Sequence, residues 1–186
     1  MRRPKLLVTG STGFVGKRFF ESAVLSKDFD CFSLINKDRV WRDENFSEPN
    51  YGVIVVDFDD SERLAEIFCE FDTILHLIGD FSASCTPLQK LNMQKTNVDL
   101  AYRFAVLAKS SGVKKFIYIS SYAAYLCEQE ITKGLCDCYG RTKLAAEHKL
   151  KTLSDCMFSI VLIRPTALFG PNHKGSIHQL TKFIKS

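Results

Sequence analysis

The sequence predicts an α/β protein built on a doubly wound parallel sheet with helices on both faces. Short apolar segments of strand length alternate with segments of helical spacing along the whole chain. Several strand segments, such as 53–56 and 160–163, are apolar at every position. Continuous apolar runs are typical of strands in the middle of a parallel sheet that helices cover on both sides.

The individual elements follow from this alternation in chain order. We expect strands at 5–9, 31–35, 53–56, 73–78, 115–120 and 158–163. We expect helices at about 14–26, 60–70, 87–111, 138–153 and 176–185. Two long connections remain, at 36–52 and 121–137. Because sheets of this kind bind ligands at the carboxyl ends of their strands, both connections are expected near the functional site.

Size and composition predict one domain, 1–186, in an ordinary soluble protein. The 186 residues are 46% hydrophobic and 25% charged, and the formal net charge is +4. The basic residues are scattered, which argues against a nucleic-acid partner, and no apolar stretch approaches the length of a membrane span. The N-terminal residues lead directly into the first strand, so we expect no signal peptide. A cytoplasmic protein is therefore expected, without a membrane partner.

The cysteines predict free thiols rather than a disulfide framework. They are seven in number, at positions 31, 69, 85, 127, 136, 138 and 156. An odd number at irregular spacings favours a reducing, intracellular compartment. Cys136 and Cys138 could contribute to a metal site with Cys127 or His148, but no second ligand pair stands at zinc spacing, and we expect no metal.

The glycine-rich turn after the first strand carries the strongest functional signal. Gly10, Gly13 and Gly16 lie between an apolar strand and a segment with helical spacing. Such glycines permit, in turn, a sharp bend, close approach of the backbone to a pyrophosphate, and close packing of helix on strand. The positive end of the helix would hold the phosphates. The spacing is G-x-x-G-x-x-G rather than G-x-G-x-x-G, yet its context favours a dinucleotide site over a flexible loop.

Polar residues also follow two other predicted strands and open one predicted helix. Asp57 could contact an adenine or ribose group, or could equally form a solvated turn or helix cap. Ser120 and Ser121 end the fifth strand, while Tyr139 and Lys143, four residues apart, share one face of a helix. A neighbouring ammonium lowers the pKa of a tyrosine, which would let Tyr139 move a proton at neutral pH. Alone, the same pair could simply cover the flank of an amphipathic helix.

Taken together, these motifs resemble the extended short-chain dehydrogenase/reductases, also called the NAD-dependent epimerase/dehydratase family, whose fold is Rossmann-like. The segments that carry the resemblance are 8–16, 56–57, 76–79, 96–98, 116–121, 139–143 and 164–171. They occur in the expected order over nearly the whole chain. The match is specific for the superfamily and uninformative about the substrate.

The resemblance implies a catalytic set of Ser121, Tyr139, Lys143 and Asn97, with Ser120 as the second choice for the serine. Tyr139 would be the acid/base, Lys143 would hold the nicotinamide ribose and lower the tyrosine pKa, and Asn97 would support the lysine. The residues implied to contact the cofactor are Gly10, Thr12, Gly13, Phe14, Val15, Gly16, Asn36, Lys37, Asp57, Phe58, Leu77, Ile78, Gly79, Tyr139, Lys143 and Arg164.

The end of the second strand bears on the choice between NAD and NADP. An acidic residue there accepts the ribose hydroxyls of NAD, whereas a basic residue suits the 2′-phosphate of NADP. Asn36 and Lys37 come first here and Asp38 follows. This order slightly favours NADP, unless Lys37 and Arg39 merely form a solvated loop.

The function that the resemblance implies is an NAD(P)-dependent epimerase/dehydratase or reductase acting on a hydroxyl or carbonyl carbon, foremost of a sugar nucleotide. Two alternatives remain: an NADP-dependent reductase of a small hydrophobic ketone, and a non-catalytic NAD(P)-binding regulatory or interaction module. Family members usually continue well beyond the motif that corresponds to Gly170-Pro171. We therefore expect the substrate-binding part to be largely missing. Family members often form homodimers through the helices that correspond to 87–111 and 138–153. The mostly apolar face around Ala101, Phe104, Ala105 and Ala108 permits such pairing, although it could equally pack on the sheet.

Overall fold

In a computed structural model, the chain forms a six-stranded parallel sheet in the order β3-β2-β1-β4-β5-β6. The structure describes residues 2–23, 28–39, 51–82, 84–129 and 136–170. The strands are β1 (Lys5–Thr9), β2 (Asp30–Asn36), β3 (Tyr51–Val56), β4 (Thr73–His76), β5 (Lys115–Ile119) and β6 (Ser159–Ile163). The helices are α1 (Phe14–Ala23), α2 (Ser61–Phe68), α3 (Pro87–Met93), α4 (Ala101–Ser110), α5 (Tyr122–Glu128) and α6 (Cys138–Lys151), with a π-helical segment (Gln94–Leu100) between α3 and α4. The predicted doubly wound α/β fold is confirmed.

The strand order creates a crevice between β1 and β4. From β1 the chain winds outward through β2 to β3, and it then returns to β4 on the other side of β1. Thr9 pairs with His76 at the carboxyl ends of these two strands. Because the segments that leave β1 and β4 diverge there, this is the position at which open α/β sheets bind ligands.

Apolar side chains form a separate cluster on each face of the sheet. On one face, helices α2, α4 and α6 cover buried strand residues such as Leu7 and Phe116, with Phe104 of α4 fully buried among them. On the other face, α1 packs Phe20 against a smaller group that includes Val8 and Leu75. Successive strand residues alternate between the two clusters, as the pleat of a strand requires. Burial of each large apolar side chain contributes about 1.5–3 kcal/mol to folding.

Two expectations about these elements were wrong. Segments 53–56 and 160–163 are expected in the middle of the sheet, but β3 and β6 form its two edges. Val53 and Val55 are 41% and 59% exposed, so apolarity alone does not locate a strand. The connection 121–137, expected to lack regular structure, contains α5, which begins where the Ser121 side chain accepts a hydrogen bond from the N–H of Ala123. The predicted helix 176–185 and most of the connection 36–52 lie outside the described residues.

Helices α3 and α6 begin at capping residues that fix the segments around the crevice. Thr86 and Gln89 form a reciprocal capping box, with Pro87 in the first turn of α3. Asp137 caps α6 by accepting a hydrogen bond from the N–H of Gly140 at 2.6 Å. Among the described residues, no helix is both long and apolar enough to cross a membrane.

The prediction of free thiols was wrong for four of the seven cysteines. Disulfides join Cys85 to Cys138 and Cys127 to Cys136, with Cα–Cα distances of 6.1 and 4.7 Å. The partners in the first pair are 53 residues apart, and spacing along the chain does not show such proximity. The cysteine at position 31 is buried and free, and those at positions 69 and 156 are exposed and free.

Candidate active site

The turn after β1 is shaped by glycines at points where no side chain fits. Gly10 has a φ of 76°, in the left-handed region that glycine adopts without strain. A Cβ atom on Gly10 would lie 2.7 Å from the backbone nitrogen of Ile78, in the segment that leaves β4. A Cβ atom on Gly16 would overlap the carbonyl oxygen of Gly10, so this glycine lets α1 approach the turn closely. The turn therefore exposes backbone, rather than side chains, to the crevice.

A cavity of about 350 Å³ opens beside this turn. Its lining residues are Gly10, Ser11, Thr12, Gly13, Leu34, Ile35, Asn36, Arg39, Phe58, Leu77, Ile78, Gly79, Thr96 and Leu100. Thr12, Asn36 and Phe58 are thus brought together with the glycine turn and the end of β4. The apolar walls that Leu34 and Leu100 add were missed from the sequence, because they belong to the ordinary apolar pattern of a strand and a helix.

A second cavity, of about 390 Å³, adjoins the first and shares Leu77 and Gly79 with it. Its lining residues are Val15, Leu77, Gly79, Asp80, Phe81, Ile119, Ser120, Ser121, Tyr139, Lys143, Pro165, Thr166, Ala167 and Leu168. The predicted Ser121, Tyr139 and Lys143 meet here from the end of β5 and from α6. Together the two cavities form a cleft of the size that small-molecule ligands occupy.

The proton affinity of Tyr139 is set mainly by burial. Burial raises the pKa of Tyr139, the hydrogen bond with the Ser121 side chain lowers it, and nearby Asp137 adds to the rise. The net direction is upward, opposite to the expected effect of Lys143. The reason is geometric: the Lys143 ammonium lies 5.9 Å from the centroid of the Tyr139 ring and donates a hydrogen bond to the carbonyl oxygen of Ile119 at 2.9 Å.

Lys143 is a buried ammonium at the floor of the second cavity. Its side chain is largely covered, and burial lowers its pKa to about 8, although Glu147 opposes that shift. The ammonium lies over the ring of Tyr118 at 4.6 Å from its centroid. A Cβ atom on Gly79 would come within 3.2 Å of the nitrogen, so the glycine leaves room for this charge. A positive group is therefore held where the two cavities meet.

The two neighbouring serines have different environments. Ser120 is buried and donates a hydrogen bond to the carboxylate of Glu147 at 2.5 Å. Ser121 lines the cavity, and its oxygen accepts a hydrogen bond from the N–H of Ala123 at 3.1 Å. A serine that is hydrogen-bonded to Tyr139 and open to the cavity is better placed for a substrate oxygen. The geometry therefore favours Ser121 over Ser120.

Asn97 is buried in the π-helical segment and holds the chain that leaves β4. Its side-chain oxygen accepts a hydrogen bond from the N–H of Asp80 at 2.7 Å, and its amide donates to the carbonyl of Asp80 at 2.8 Å. The amide also donates to Thr142, the neighbour of Lys143, at 3.0 Å. Asn97 thus connects the wall of the cavity to α6 through Thr142. π-Helical turns are frequent at functional sites.

Several predicted site residues lie outside both linings. Lys37 and Asp57 form an ion pair at 2.6 Å, which raises the pKa of the lysine and lowers that of the carboxyl. Arg164 is bound by Glu147 and Glu128 instead of facing the cavity. Three more also lie outside: Asn97, described above, Gly16, beneath the turn, and Phe14, whose ring lies near Gly170.

His76, at the end of β4, is buried and hydrogen-bonds through Nδ1 to Thr9 at 2.9 Å. Burial lowers its pKa to about 3, and the charge of Lys143 adds to this. Its ring stacks on Phe116 and Tyr118. It is therefore a neutral part of the core below the cleft.

Phe81 and Arg39 line the cleft, although the sequence carried no signal for Phe81 and offered Arg39 only as part of a solvated loop. The ring of Phe81 meets that of Tyr139 edge-on, with centroids 5.2 Å apart. Arg39, rather than Lys37, is the basic residue that the first cavity presents at the end of β2. Both belong to connections that contain no recognisable motif.

Comparison with known proteins gives a family and a set of related enzymes. A model of the NAD dependent epimerase/dehydratase family matches residues 6–186. The chain is 29% identical over 197 residues to a UDP-glucose 4-epimerase of Vibrio cholerae. The aligned region covers 98% of this chain and 58% of that protein. The chain is 27% identical over 190 residues to an N-acetyl-α-D-glucosaminyl-diphospho-ditrans,octacis-undecaprenol 4-epimerase of Escherichia coli O157:H7, covering 96% and 53%. The chain thus spans about half the length of the curated relatives that it matches.

Solved structures show the same fold. A UDP-glucuronic acid 4-epimerase from Bacillus cereus in complex with NAD has a TM-score of 0.75 at 20% identity, over 97% of this chain and 63% of that one. The Bordetella bronchiseptica enzyme WbmG in complex with NAD has a TM-score of 0.73 at 22% identity, over 99% and 60%. At such identities the likeness establishes the fold and leaves function to the site.

Proposed function

Because the chain belongs to the NAD-dependent epimerase/dehydratase family, we propose that it binds a nicotinamide dinucleotide and catalyses redox chemistry at a hydroxyl-bearing carbon of a sugar nucleotide. The observation that carries this proposal is the meeting of Ser121, Tyr139 and Lys143 in one cavity beside the glycine turn. The curated relatives support the substrate class, since their names describe sugar 4-epimerases and dTDP-D-glucose 4,6-dehydratases.

The linings of the two cavities support one orientation of the cofactor. The first cavity offers apolar side chains of Leu34, Phe58 and Leu100 for the adenine. Backbone N–H groups between Gly10 and Gly13, at the positive end of α1, would bind the pyrophosphate. The nicotinamide would then lie toward the second cavity, near Lys143. Bound there, the oxidised ring would accept a hydride from a substrate carbon and return it.

The side chains of the second cavity supply the proton chemistry. Tyr139 takes the proton of the substrate hydroxyl as the carbon loses hydride, while Ser121 holds the same oxygen. Since burial raises the pKa of Tyr139, this step needs positive charge nearby to favour the phenolate. Lys143 is predominantly protonated at neutral pH, because its pKa is about 8, but at 5.9 Å from the ring centroid it does not bring the tyrosine pKa down by itself. The positive charge of a bound oxidised nicotinamide would supply the rest. With the cofactor bound, the same ammonium would hold the nicotinamide ribose.

We propose NADP as the slightly preferred form. The support is Arg39, whose guanidinium borders the first cavity at the end of β2, where a 2′-phosphate would lie. Lys37 contributes less than its position in the sequence indicates, because Asp57 neutralises it. The similar structures that contain NAD weigh against the preference. Titration of the purified chain with NADPH and NADH, followed by nicotinamide fluorescence, measures it directly.

Turnover is tested with UDP-glucose, UDP-N-acetylglucosamine and dTDP-glucose, with products identified by NMR. We expect Tyr139→Phe to abolish turnover and to leave NADPH affinity within about twofold, since removal of an acid/base costs roughly 10²–10⁴ in rate. Tyr125→Phe, on the partly exposed surface of α5, is the matched control and should remain active. A fully active Tyr139→Phe would overturn the assignment. Tight cofactor binding with no turnover of any sugar nucleotide would instead support a non-catalytic dinucleotide-binding module.

The homodimer is a second part of the proposal. The apolar face around Ala101, Phe104, Ala105 and Ala108 is buried in the core and so cannot form the contact. Leu88 and Leu91 of α3 and Val106 of α4 are exposed at 66%, 49% and 39%, which supports pairing through the 87–111 segment by a different face. Sedimentation velocity at several concentrations measures the mass in solution. A monomer at every concentration would contradict this pairing without affecting the proposed chemistry.

A further inference from the structure

Both disulfides end at the start of α6, next to Tyr139, and we propose that the Cys85–Cys138 pair is a redox-controlled clamp on the substrate side of the cleft. When oxidised, the clamp keeps the second cavity assembled, and when reduced, it releases one wall. The consequence for turnover rests on the proposed function, whereas the clamp itself does not.

The crosslink joins two opposite walls of the second cavity. Cys138 is the first residue of α6, and Tyr139 follows it directly. Cys85 ends the segment that leaves β4 and that contributes Gly79, Asp80 and Phe81 to the lining. A bond between these cysteines, whose Cα atoms are 6.1 Å apart, therefore fixes one wall against the other.

Phe81 is weakly held by its own side chain, which is 65% exposed, so burial does not fix it. Within its segment, Asn97 anchors Asp80 on one side, and hydrogen bonds to Gln89 of α3 anchor Ser84 and Thr86 on the other. These contacts tie the segment to α3, whereas the disulfide ties it to α6. Between these anchors, the described contacts of Phe81 include the edge-on meeting with the Tyr139 ring at 5.2 Å. Reduction would leave that contact as a weak restraint on an exposed ring.

The second disulfide is not expected to act in the same way. Cys127 and Cys136 join the end of α5 to the residue before the cap of α6. The two helices are also packed tightly at Gly140, where a Cβ atom would lie 2.6 Å from the carbonyl oxygen of Ala123. This backbone contact holds α5 against the start of α6 without a covalent bond. The Cys127–Cys136 pair therefore serves as the control.

Oxidation needs a partner, for which a low-molecular-weight disulfide such as oxidised glutathione is suitable. One cysteine thiolate attacks the glutathione disulfide and displaces one glutathione thiolate, which leaves a mixed disulfide. The second cysteine thiolate then displaces the other, so that one S–S bond forms and one is reduced to two thiols. The two cysteine protons pass to the two glutathione thiolates. Cys85 is exposed, which permits the attack.

The experiment equilibrates the full chain in glutathione buffers that range from reduced to oxidised. Alkylation followed by peptide mass spectrometry gives the state of each cysteine. Hydrogen exchange of peptides that cover 79–86 reports the wall without any need for activity. NADPH affinity and sugar-nucleotide turnover are measured on the same samples. The variants are Cys85→Ser and, as the matched control, the double variant Cys127→Ser/Cys136→Ser.

In the oxidised chain we expect turnover about tenfold faster than in the reduced chain, since small misplacements of reacting groups cost up to about 10²-fold. Exchange at 79–86 should be about tenfold slower, and NADPH affinity should change by less than about twofold, because the glycine turn lies in the other cavity. Cys85→Ser should match the reduced chain in every buffer. The double variant should keep the full response.

The proposal is overturned if Cys85 and Cys138 are alkylated at every glutathione ratio, or if exchange at 79–86 is the same in both states. A Cys85→Ser variant with the turnover of the oxidised chain also overturns it. Absence of turnover in both states, with the difference in exchange present, contradicts the proposed function and supports the clamp.

Discussion

Replacement of Glu147 by glutamine keeps the shape of the side chain, removes its charge, and should destabilise the protein by about 3 kcal/mol. The carboxylate is fully buried and accepts hydrogen bonds from Arg164 Nε at 2.8 Å and from Ser120 at 2.5 Å. Removal of one partner from a buried ion pair costs about 3–5 kcal/mol, because the other charge remains buried without compensation. The lower end applies here, since Arg164 is partly exposed and keeps its ion pair with Glu128 at 2.6 Å.

Urea unfolding followed by circular dichroism measures this change as a lower midpoint at an unchanged m-value. In thermal unfolding, about 3 kcal/mol corresponds to a fall of roughly 6–12 °C for a domain of this size. Glu128→Gln is the matched control, because it removes the more exposed carboxylate of the same arginine and should cost less than about 1 kcal/mol. A Glu147→Gln variant that unfolds at the midpoint of the wild type would refute the reasoning.

The pH dependence of this difference has a defined direction. Burial raises the pKa of Glu147, but hydrogen bonds from Arg164 and Ser120 outweigh it and hold the pKa below its usual value of 4.5. A carboxyl with a lowered folded pKa stabilises the protein above its unfolded pKa, and this contribution is lost as the pH falls through the folded value. The difference between wild type and Glu147→Gln should therefore be full above pH 4.5 and shrink as the pH falls below that value.

Two further substitutions test the cleft. Gly10→Ala should abolish NADPH binding and destabilise the chain by more than about 2 kcal/mol, because left-handed backbone strain adds to the overlap of the new Cβ atom with Ile78. Gly112→Ala is the control for strain alone, since Gly112 has a φ of 80° and open space around it. Equal losses of stability in the two variants would contradict the overlap at position 10. Lys143→Met should raise the melting temperature of the cofactor-free chain at pH 7, because it removes a buried charge. Burial lowers the pKa of that lysine from 10.5 to about 8, and its removal should increase the free energy of unfolding by about 1–3 kcal/mol. The same substitution should weaken NADPH binding, as measured by fluorescence. An unchanged melting temperature together with full NADPH affinity would show that the Lys143 charge neither destabilises the chain nor contributes to cofactor binding.

The fold was predictable because its signals are local. Each strand and its following helix is a separate pattern of apolar spacing, and the glycine turn identifies the first crossover. The edge positions of β3 and β6 were not predictable, because strand order depends on pairing between distant segments. The same limit applies to Cys85 and Cys138, which are 53 residues apart along the chain.

The site was predictable where a motif exists. Tyr139 and Lys143 meet on one face of α6, and the adjacent residues Ser120 and Ser121 differ because one donates to Glu147 while the other borders the cavity. That difference depends on the burial of Glu147, which the sequence alone does not reveal. Phe81 lies in a connection without a motif, and only its contact with Tyr139 draws attention to it.

The π-helical segment, Gln94–Leu100, bears on how the chain can change in length. Each backbone hydrogen bond there spans five residues rather than four, so the segment accommodates one residue more than an α-helix of the same rise. A deletion of one residue within it would let α3 and α4 join as a single regular helix, with the apolar faces of both still directed at their present neighbours. Asn97 would rotate away from Asp80 in that shorter chain. The fold would therefore tolerate the loss of one residue in this segment, but the wall of the cleft that Asn97 holds at Asp80 would not stay in place.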